Sequence, residues 1–157
     1  MVRGELTTVR PAADADAPLL AAWHGDPEVS RYWDDETFTV EEMLERLHRD
    51  DVDAWIVEAG GEPVGYVQSW REPDPPLRGG IDMFLVPAAR GRGLGPDAGR
   101  ALALHLLASG WTRVTVDPYL WNGPAVAAWR KAGFRPLEER PADDEHPAPW
   151  LLMEFAG

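Results

Sequence analysis

The sequence of 157 residues contains no cysteine, and several other features are missing as well. Without cysteine there is no disulfide, thiolate metal site or cysteine nucleophile. No window is apolar enough to span a membrane, and the first residues lack the apolar segment of a signal peptide. The histidines are scattered without metal-ligand spacing, so we expect no metal. We therefore expect one domain over residues 1–157 in the cytoplasm, without membrane contact.

Basic residues are few relative to acidic ones. There are 15 Lys and Arg against 27 Asp and Glu, which gives a formal net charge of −12. Nucleic acid is not expected as a partner, because its phosphates would be repelled. A polycationic small molecule would be attracted, although solubility alone explains an acidic surface equally well. The 8 tryptophans are expected mostly in the core, and some are candidates for a pocket wall.

The segment around which the chain is organised begins as a strand and continues into a helix. Residues 81–86 are apolar except for Asp82, which is typical of a buried strand. Gly91, Gly93 and Gly95 then alternate, and Pro96 is suited to the first position of a helix.

This turn is a candidate anion site. Free N–H groups at a helix N-terminus attract negative charge, and Arg90 and Arg92 flank the glycines. We expect a diphosphate there, although glycines that only shape a turn give the same pattern. The absence of Gly-Lys-Ser/Thr excludes a nucleotide triphosphatase loop. The dinucleotide pattern Gly-x-Gly-x-x-Gly is matched only loosely, with Pro96 in place of its last glycine.

Hydrophobic periodicity and turn residues predict an α/β protein with the order β-α-α-β-β-β-α-β-α-β-β. Three consecutive antiparallel strands precede a β-α-β crossover. The predicted strands are 6–10, 53–59, 63–70, 81–86, 113–117, 134–139 and 150–155. The predicted helices follow Asp16, Thr39, Gly95 and Gly123, and Thr39 with Glu42 forms a capping box.

Arg90-x-x-Gly93-x-Gly95 resembles the coenzyme A pyrophosphate signature of the GCN5-related N-acetyltransferase (GNAT) superfamily. Asn122, ahead of a helix that ends in Lys131-Ala132-Gly133-Phe134, is similar to a second feature of that family. The resemblance implies a mixed sheet in which strands 81–86 and 113–117 splay apart to admit the cofactor's pantetheine. It implies acetyl-CoA as cofactor, held by Phe84, Leu85, Val86, Arg90, Gly91, Arg92, Gly93, Leu94, Gly95 and Asn122, with the oxyanion near the N–H groups of Phe84 and Leu85.

A narrower resemblance is to the aminoglycoside 6′-N-acetyltransferases and their siderophore-pathway relatives. It is based on residues 62–70, on Gly80-Ile81-Asp82, on Val116-Asp117-Pro118 and on Tyr32-Trp33 before an acidic pair. It implies a substrate side formed by Trp33, Asp34, Trp70 and Glu145. For each tryptophan, core packing is the alternative, and for Glu145 the alternative is a solvated acidic loop.

Two aspartates are the candidate catalytic groups. A carboxylate in an apolar strand is costly unless it is paired or used, so Asp82 is the candidate that accepts the amine proton. Asp117 ends the next strand and is the candidate second anchor for the amine. A solvated strand end for Asp82 and a simple Asp-Pro turn for Asp117 are the alternatives.

The chain departs from the resemblance at two positions. Trp129 stands where many relatives have a tyrosine that protonates the leaving thiolate, and an indole N–H is not a usable acid. Tyr119 is the candidate substitute, unless the thiolate leaves without assistance. Pro96 removes one N–H donor toward the phosphates.

We therefore predict an N-acetyltransferase that transfers acetyl directly, in a ternary complex, to a 6′-amine of an aminoglycoside. Alternatives are a siderophore-type, polyamine or peptide amine, or a non-catalytic acyl-CoA-binding domain. The expected partner is a polycationic small molecule, and the protein is expected to be a monomer or a homodimer.

Overall fold

The computed structural model describes all residues, 1–157, and contains eight strands and five α-helices. The strands are β1 (Val2–Arg3), β2 (Thr8–Pro11), β3 (Val52–Ala59), β4 (Glu62–Arg71), β5 (Arg78–Leu85), β6 (Arg113–Val116), β7 (Phe134–Arg140) and β8 (Trp150–Phe155). The helices are α1 (Ala17–His24), α2 (Pro27–Ser30), α3 (Val40–Leu47), α4 (Leu94–Ala108) and α5 (Gly123–Ala132).

All strands belong to one mixed sheet in the order β1-β2-β3-β4-β5-β6-β8-β7. Strands β1 to β5 pair antiparallel with their neighbours, β5 and β6 are parallel, and β8 pairs antiparallel with both β6 and β7. The predicted fold class, including three consecutive antiparallel strands before a crossover, is confirmed.

The parallel pair β5–β6 is short. Its register consists of Arg78 with Arg113, Gly79 with Val114, and Gly80 with Thr115. Beyond Gly80 no residue of β5 pairs with β6, although β5 continues to Leu85. The sheet therefore opens at the position where the family resemblance implies splayed strands.

Helices cover the sheet on both faces, as the alternation of side chains requires. Helix α4 packs Leu102 and Leu106 into the larger core, together with Val57, Val67 and Ile81 of the sheet. On the opposite face α1 and α3 contribute Leu20 and Met43 to a smaller core, which contains the sheet residues Ile56, Tyr66 and Phe84. Asp82 has the same parity in β5 as Phe84, and so it belongs to this second face.

Three boundaries differ from the prediction by two or more residues. The first predicted strand, 6–10, is Thr8–Pro11, and the added strand β1 pairs with it. Strand β5 begins at Arg78 rather than at 81, because Gly79 and Gly80 continue the ladder beneath Trp70; a Cβ at Gly80 would lie 2.5 Å from that indole. Helix α4 begins at Leu94, so Pro96 is its third residue.

The capping box is confirmed: Thr39 Oγ1 accepts from the Glu42 N–H at 3.1 Å, and Glu42 accepts from the Thr39 N–H at 2.9 Å. None of the helices has the length and apolar character that a membrane crossing requires.

Candidate active site

A cavity of about 530 Å³ lies where β5 and β6 separate. Residues of β5 form one wall, and the segment after β6 forms another. Eight of the side chains predicted for catalysis, substrate or cofactor line it, namely Trp33, Asp34, Trp70, Asp82, Asp117, Tyr119, Asn122 and Glu145. The fold thus brings together residues from five separate parts of the chain.

Asp82 and Asp117 are neighbours because of the sheet register. Gly80 pairs with Thr115, and both aspartates lie two residues further along their chains. The strands are separating at this level, so the two carboxyl groups face the opening instead of a ladder partner. On its other side Asp82 pairs with Gln68 of β4, whose Nε2 donates to Asp82 Oδ2 at 3.0 Å. Gln68 is itself held by the Tyr66 hydroxyl, which donates to Gln68 Oε1 at 3.1 Å.

The environment of Asp82 favours its neutral form. Burial raises the pKa of Asp82, the nearby negative charge of Asp117 raises it further, and the result is a pKa of about 7. The hydrogen bond from Gln68 acts in the opposite direction but is outweighed. A carboxyl group that titrates near neutrality is suited to accept a proton from an amine.

Asp117 is bound to a histidine that the sequence analysis left without a role. His146 Nε2 lies 2.6 Å from Asp117 Oδ2, and His146 Nδ1 lies 2.9 Å from Asp143 Oδ1. The imidazole stacks on Trp150 at 4.1 Å between ring centres, and the Trp150 indole donates to Asp143. The loop between β7 and β8 is therefore tied to the cavity wall.

Burial alone would lower the pKa of His146. The hydrogen bonds to Asp117 and Asp143 outweigh it, so the pKa of His146 is raised. The imidazolium form is favoured, because a ring nitrogen must carry a proton to donate to each carboxylate.

Tyr119, the candidate proton donor, is engaged with Asp34. Its hydroxyl donates to Asp34 Oδ1 at 2.6 Å, and burial together with this carboxylate raises the pKa of Tyr119. Its ring stacks on Trp121 at 5.7 Å, and Trp121 stacks on Tyr32 at 5.9 Å. These three aromatic rings join the segment before α3 to the segment after β6. The raised pKa makes Tyr119 a weaker acid than a free tyrosine, and its catalytic role stays a prediction.

Both predicted substrate-side tryptophans combine packing with a place on the cavity wall. Trp33 meets Tyr66 and Phe84 edge to face at 5.8 and 5.6 Å, and it belongs to the margin of the smaller core. Trp70 lies over Gly80. Each ring therefore presents to the cavity the part that the core leaves uncovered.

The glycine-rich turn carries a row of unpaired main-chain donors. The N–H groups of residues 91–95 have no acceptor within the protein, and Gly91 and Gly93 have φ of 75° and 78°. A Cβ at Gly91 would meet nothing within 4 Å, so the space above the turn is open. Five consecutive free N–H groups, in the turn and at the first two residues of helix α4, form an anion cradle, and a diphosphate fits this donor set.

Of the two flanking arginines, Arg90 is used within the fold. Its Nε donates to the Leu85 carbonyl at 3.1 Å and its Nη2 to the Glu28 carbonyl at 2.6 Å. The guanidinium also lies over the ring of Tyr32 at 5.1 Å. Arg90 thereby fixes the shape of the turn, while Arg92 is exposed and makes no ion pair within the chain.

Strand β5 directs alternate amides into the opening. The Val86 N–H bonds to the Val64 carbonyl of β4, so by alternation the N–H groups of Met83 and Leu85 point away from β4. The Leu85 N–H, predicted as a donor to the oxyanion, therefore points toward the opening. The Phe84 N–H, predicted for the same role, points toward β4 instead, and the buried Phe84 side chain belongs to the smaller core.

Asn122 and Trp129 form the end of the cavity nearest α5. The Asn122 side chain caps that helix by accepting from the Ala125 N–H at 3.3 Å. The Trp129 indole packs on Gly99 of α4, where a Cβ would lie 2.7 Å from the ring. Trp129 therefore fills the groove between α4 and α5 as well as bordering the cavity.

The far wall of the cavity, from α3, the segment after it and β4, carries Arg46, Arg49 and Arg71. Arg49 pairs with Asp51, and Arg71 pairs with Asp53. Arg46 lies over the Phe38 ring at 4.8 Å and has no carboxylate partner. The sequence alone indicates no role for Arg46, Gln68 or His146. For Gln68 the one available signal is the register of the predicted strands, which places it opposite Asp82.

Comparison with known proteins shows the family of this chain. Residues 12–141 match the acetyltransferase (GNAT) domain family. The aminoglycoside N(6′)-acetyltransferase type 1 of Klebsiella pneumoniae is 31% identical over 147 residues, which covers 81% of this chain and 73% of the relative.

Solved structures agree as well. The structure of AAC(6′)-Ib in complex with paromomycin and acetyl-CoA superposes with a TM-score of 0.84 at 26% identity and covers 96% of this chain and 93% of that one. The ribosomal L7/L12 α-N-protein acetyltransferase RimL, in complex with coenzyme A, has a TM-score of 0.81 at 16% identity, covering 96% of this chain and 93% of that one. That second likeness concerns the fold alone.

Proposed function

Because the chain belongs to the GNAT acetyltransferases and is an N-acetyltransferase that uses acetyl-CoA, we propose that its acceptor is the 6′-amine of an aminoglycoside. The observation that carries this proposal is the pair Asp82 and Asp117 at the opening of the sheet, in a cavity that also presents Asp34 and Glu145. Four carboxylates around one opening attract a polyamine and hold its ammonium groups. Inactivation of aminoglycosides would confer antibiotic resistance.

The roles of the residues follow from their positions. Asp82 accepts the amine proton, directly or through water, as the new C–N bond forms and the C–S bond of the thioester breaks to release coenzyme A as its thiolate, and Asp117 anchors the amine. The N–H of Leu85, together with that of Met83, faces the opening and stabilises the oxygen on which charge develops. Trp33, Asp34, Trp70 and Glu145 contact the acceptor.

Acetyl-CoA supplies the acetyl group as a thioester. The free N–H groups of residues 91–95, with Arg92, would hold its diphosphate, and Asn122, Leu85 and Val86 would border its pantetheine. Arg90 would act through the turn that it braces. Transfer is direct, because the chain has no cysteine to carry the acetyl group. We place the reaction in the cytoplasm, to which the absence of cysteine is suited.

The test is thiol release from acetyl-CoA with a panel of amines. The panel contains aminoglycosides with and without a 6′-amine, polyamines and short peptides with a free N-terminus. Release only with the 6′-amino compounds supports both the acceptor and the position. Release with polyamines or peptides instead would replace the acceptor and leave the family unchanged.

A further inference from the structure

Two neighbouring carboxylates at the opening are difficult to ionise together. Asp82 and Asp117 lie level with each other, each two residues beyond the last register pair of the separating strands, and the negative charge of Asp117 raises the pKa of Asp82. In the proposed reaction Asp82 must be ionised to accept a proton, while Asp117 must be ionised to hold an ammonium. A positive charge beside them therefore favours this doubly ionised state before the ammonium binds.

The arginines of the cavity do not supply this charge. Arg49 and Arg71 are paired with Asp51 and Asp53, and Arg46 lies over Phe38. None of the three makes an ion pair with Asp82 or Asp117. The basic group in contact with the pair is His146, whose Nε2 lies 2.6 Å from Asp117 Oδ2.

His146 is built into its place. Its side chain is 12% exposed, and both ring nitrogens have carboxylate partners, Asp117 at 2.6 Å and Asp143 at 2.9 Å. Trp150 covers one face of the ring, and the edge of Tyr119 closes another side at 6.1 Å. A histidine fixed in this way cannot turn away from Asp117 without breaking both hydrogen bonds.

We propose that His146 is a positioning residue for acetyl transfer: as an imidazolium it provides the positive charge that allows Asp82 and Asp117 to be ionised together, and it holds Asp117 toward the amine. The inference rests on the proposed function. The amine proton goes to Asp82, and His146 keeps its own proton throughout. His146 therefore acts through Asp117 and does not touch the reacting atoms.

Other charged and titratable groups near His146 and Asp82 also affect how the pair ionises. Around His146 they are Asp117 after β6, Tyr119 on the same segment, and Asp143, Asp144 and Glu145 in its own loop, with the guanidinium of Arg140 of β7 over the Trp150 ring at 5.3 Å. Around Asp82 they are Tyr66 and Gln68 on β4, and Asp34 and Asp117 across the opening. With the exception of Arg140, which is paired with Glu138, these groups are acidic or neutral, so no unpaired positive charge nearby replaces that of the imidazolium.

The first experiment measures kcat/KM against pH for wild type and His146→Gln. Glutamine keeps an N–H donor that can reach Asp117 but carries no charge, so it separates charge from hydrogen bonding. Loss of the positive charge raises the pKa of Asp82, and we expect the acid limb of the profile to move upward by about one pH unit. At pH 7 kcat/KM should fall about five- to tenfold, and above pH 9 the two enzymes should converge.

His48→Gln is the matched control. His48 also pairs with an aspartate, Asp14, at 2.8 Å, but its side chain is 66% exposed and lies outside the cavity. Its profile should superimpose on that of wild type. A profile of His146→Gln that also superimposes on wild type would overturn the proposal, and so would an equal loss at every pH.

The second experiment does not depend on activity. The C2–H resonances of the four histidines are followed by NMR against pH, with His146 assigned from the His146→Gln variant. We expect His146 to titrate above the ordinary histidine value of about 6.5 and to move down by about one unit in Asp117→Asn. Titration below that value, or no response to Asp117→Asn, contradicts the proposal.

The two experiments separate failure of the inference from failure of the proposed function. If wild type acetylates no amine in the panel, the proposed function is wrong, and the NMR titration still decides whether His146 is the counter-charge. If wild type is active and His146→Gln behaves like it, only the inference is wrong.

Discussion

At the scale of single residues, Asp82 has the most direct connection to the proposed chemistry. Asp82→Asn keeps the size of the side chain and an acceptor for Gln68 but cannot take up a proton. We expect kcat to fall about 10²- to 10³-fold, as is usual when a general base is removed. Coenzyme A affinity, measured by calorimetry, should stay unchanged, because the free N–H groups of residues 91–95 are not altered. Wild-type turnover in this variant would exclude Asp82 as the base.

The same substitution is expected to raise stability. The pKa of Asp82 in the fold is about 7, above its ordinary value of 3.8, so the folded state binds the proton more tightly than the unfolded chain does. Ionisation therefore destabilises the fold above pH 7, and this cost disappears below about pH 4. Asp82→Asn should gain roughly 1–2 kcal/mol at pH 8, given partial solvent access, and nothing at pH 4.

The measurement is thermal unfolding of wild type and Asp82→Asn at pH 4 and at pH 8. Asp144→Asn, which removes an exposed carboxylate outside the cavity, is the control and should not change the melting temperature at either pH. A gain of equal size at pH 4 and pH 8 would show that the effect does not come from ionisation of Asp82.

The site was predictable where a residue conflicts with its local pattern. Asp82 stands out because a charge interrupts an apolar strand, and the glycines stand out because they alternate. His146 carries no such signal: it lies 29 residues from Asp117, in a loop whose sequence is typical of solvated acidic segments. Its position depends on the packing of that loop on Trp150, which no spacing along the chain reveals.

At the scale of elements, helix α4 is anchored at its start by Asp97. The carboxylate accepts from the N–H groups of Glu5, Leu6 and Thr7 at 2.9, 3.0 and 2.9 Å and from the Thr7 hydroxyl at 2.7 Å. The pKa of Asp97 is lowered: burial would raise it, but the hydrogen bonds from Thr7, Leu6 and Glu5 outweigh burial. Asp97 thus ties the segment between β1 and β2 to the helix whose first residues are part of the anion cradle.

Asp97→Ala should cost about 2–4 kcal/mol of unfolding free energy at pH 7, because three main-chain donors lose their acceptor. The pKa of Asp97 is lower in the folded state than the value of 3.8 in the unfolded chain, so ionisation of Asp97 stabilises the fold above pH 3.8. This contribution is lost as the pH falls through the folded-state pKa. Denaturant unfolding at pH 7 and pH 3 should therefore show a smaller difference at pH 3. Thr7→Val, which removes only the hydroxyl bond, should cost about 1 kcal/mol. Equal costs for the two variants at pH 7 would contradict this account.

The order of the predicted elements is confirmed, because each has a clear period and clear turn residues. The two-residue strand β1 was not predicted, since two residues carry no period, and the segment that connects it to β2 is held by the distant carboxylate of Asp97. The early start of β5 was missed for a similar reason: Gly79 and Gly80 read as loop residues, yet the ladder with β4 and the cover of Trp70 require glycine there.

Helix α3 brings Arg46 to the far wall of the cavity. Met43 on the same helix is buried in the core, and Arg46 follows three residues later on a neighbouring face. An unpaired guanidinium there repels one ammonium group of a polycationic acceptor. Arg46→Gln should therefore raise kcat/KM several-fold for acceptors with many amines and leave monoamines unchanged. The charge-matched control is Arg135→Gln on β7, whose side chain is 67% exposed, and it should affect neither. A fall in kcat/KM would indicate that Arg46 binds the acceptor.

At the scale of the whole molecule, charge is concentrated where the proposed substrate enters. The net charge is −12, and the cavity lining contains seven acidic residues against three arginines. The acidic set consists of Asp34, Glu36, Asp51, Glu72, Asp82, Asp117 and Glu145. The field of the molecule and the local lining therefore have the same sign, and both raise the local concentration of a polycation.

This arrangement predicts a dependence of the reaction on salt that differs between acceptors. Raising the ionic strength from about 0.02 to about 0.3 M shortens the Debye length from roughly 20 Å to below 10 Å, so the distant acidic residues no longer act on an approaching substrate. For an aminoglycoside with four or five amines, kcat/KM should fall about tenfold, mostly through KM, since the groups in contact at the opening are screened least. For a monoamine it should change less than about twofold. Steady-state kinetics with both acceptors over a salt series would decide this, and an equal fall for both would mean that salt acts on the protein itself and not on attraction of the substrate.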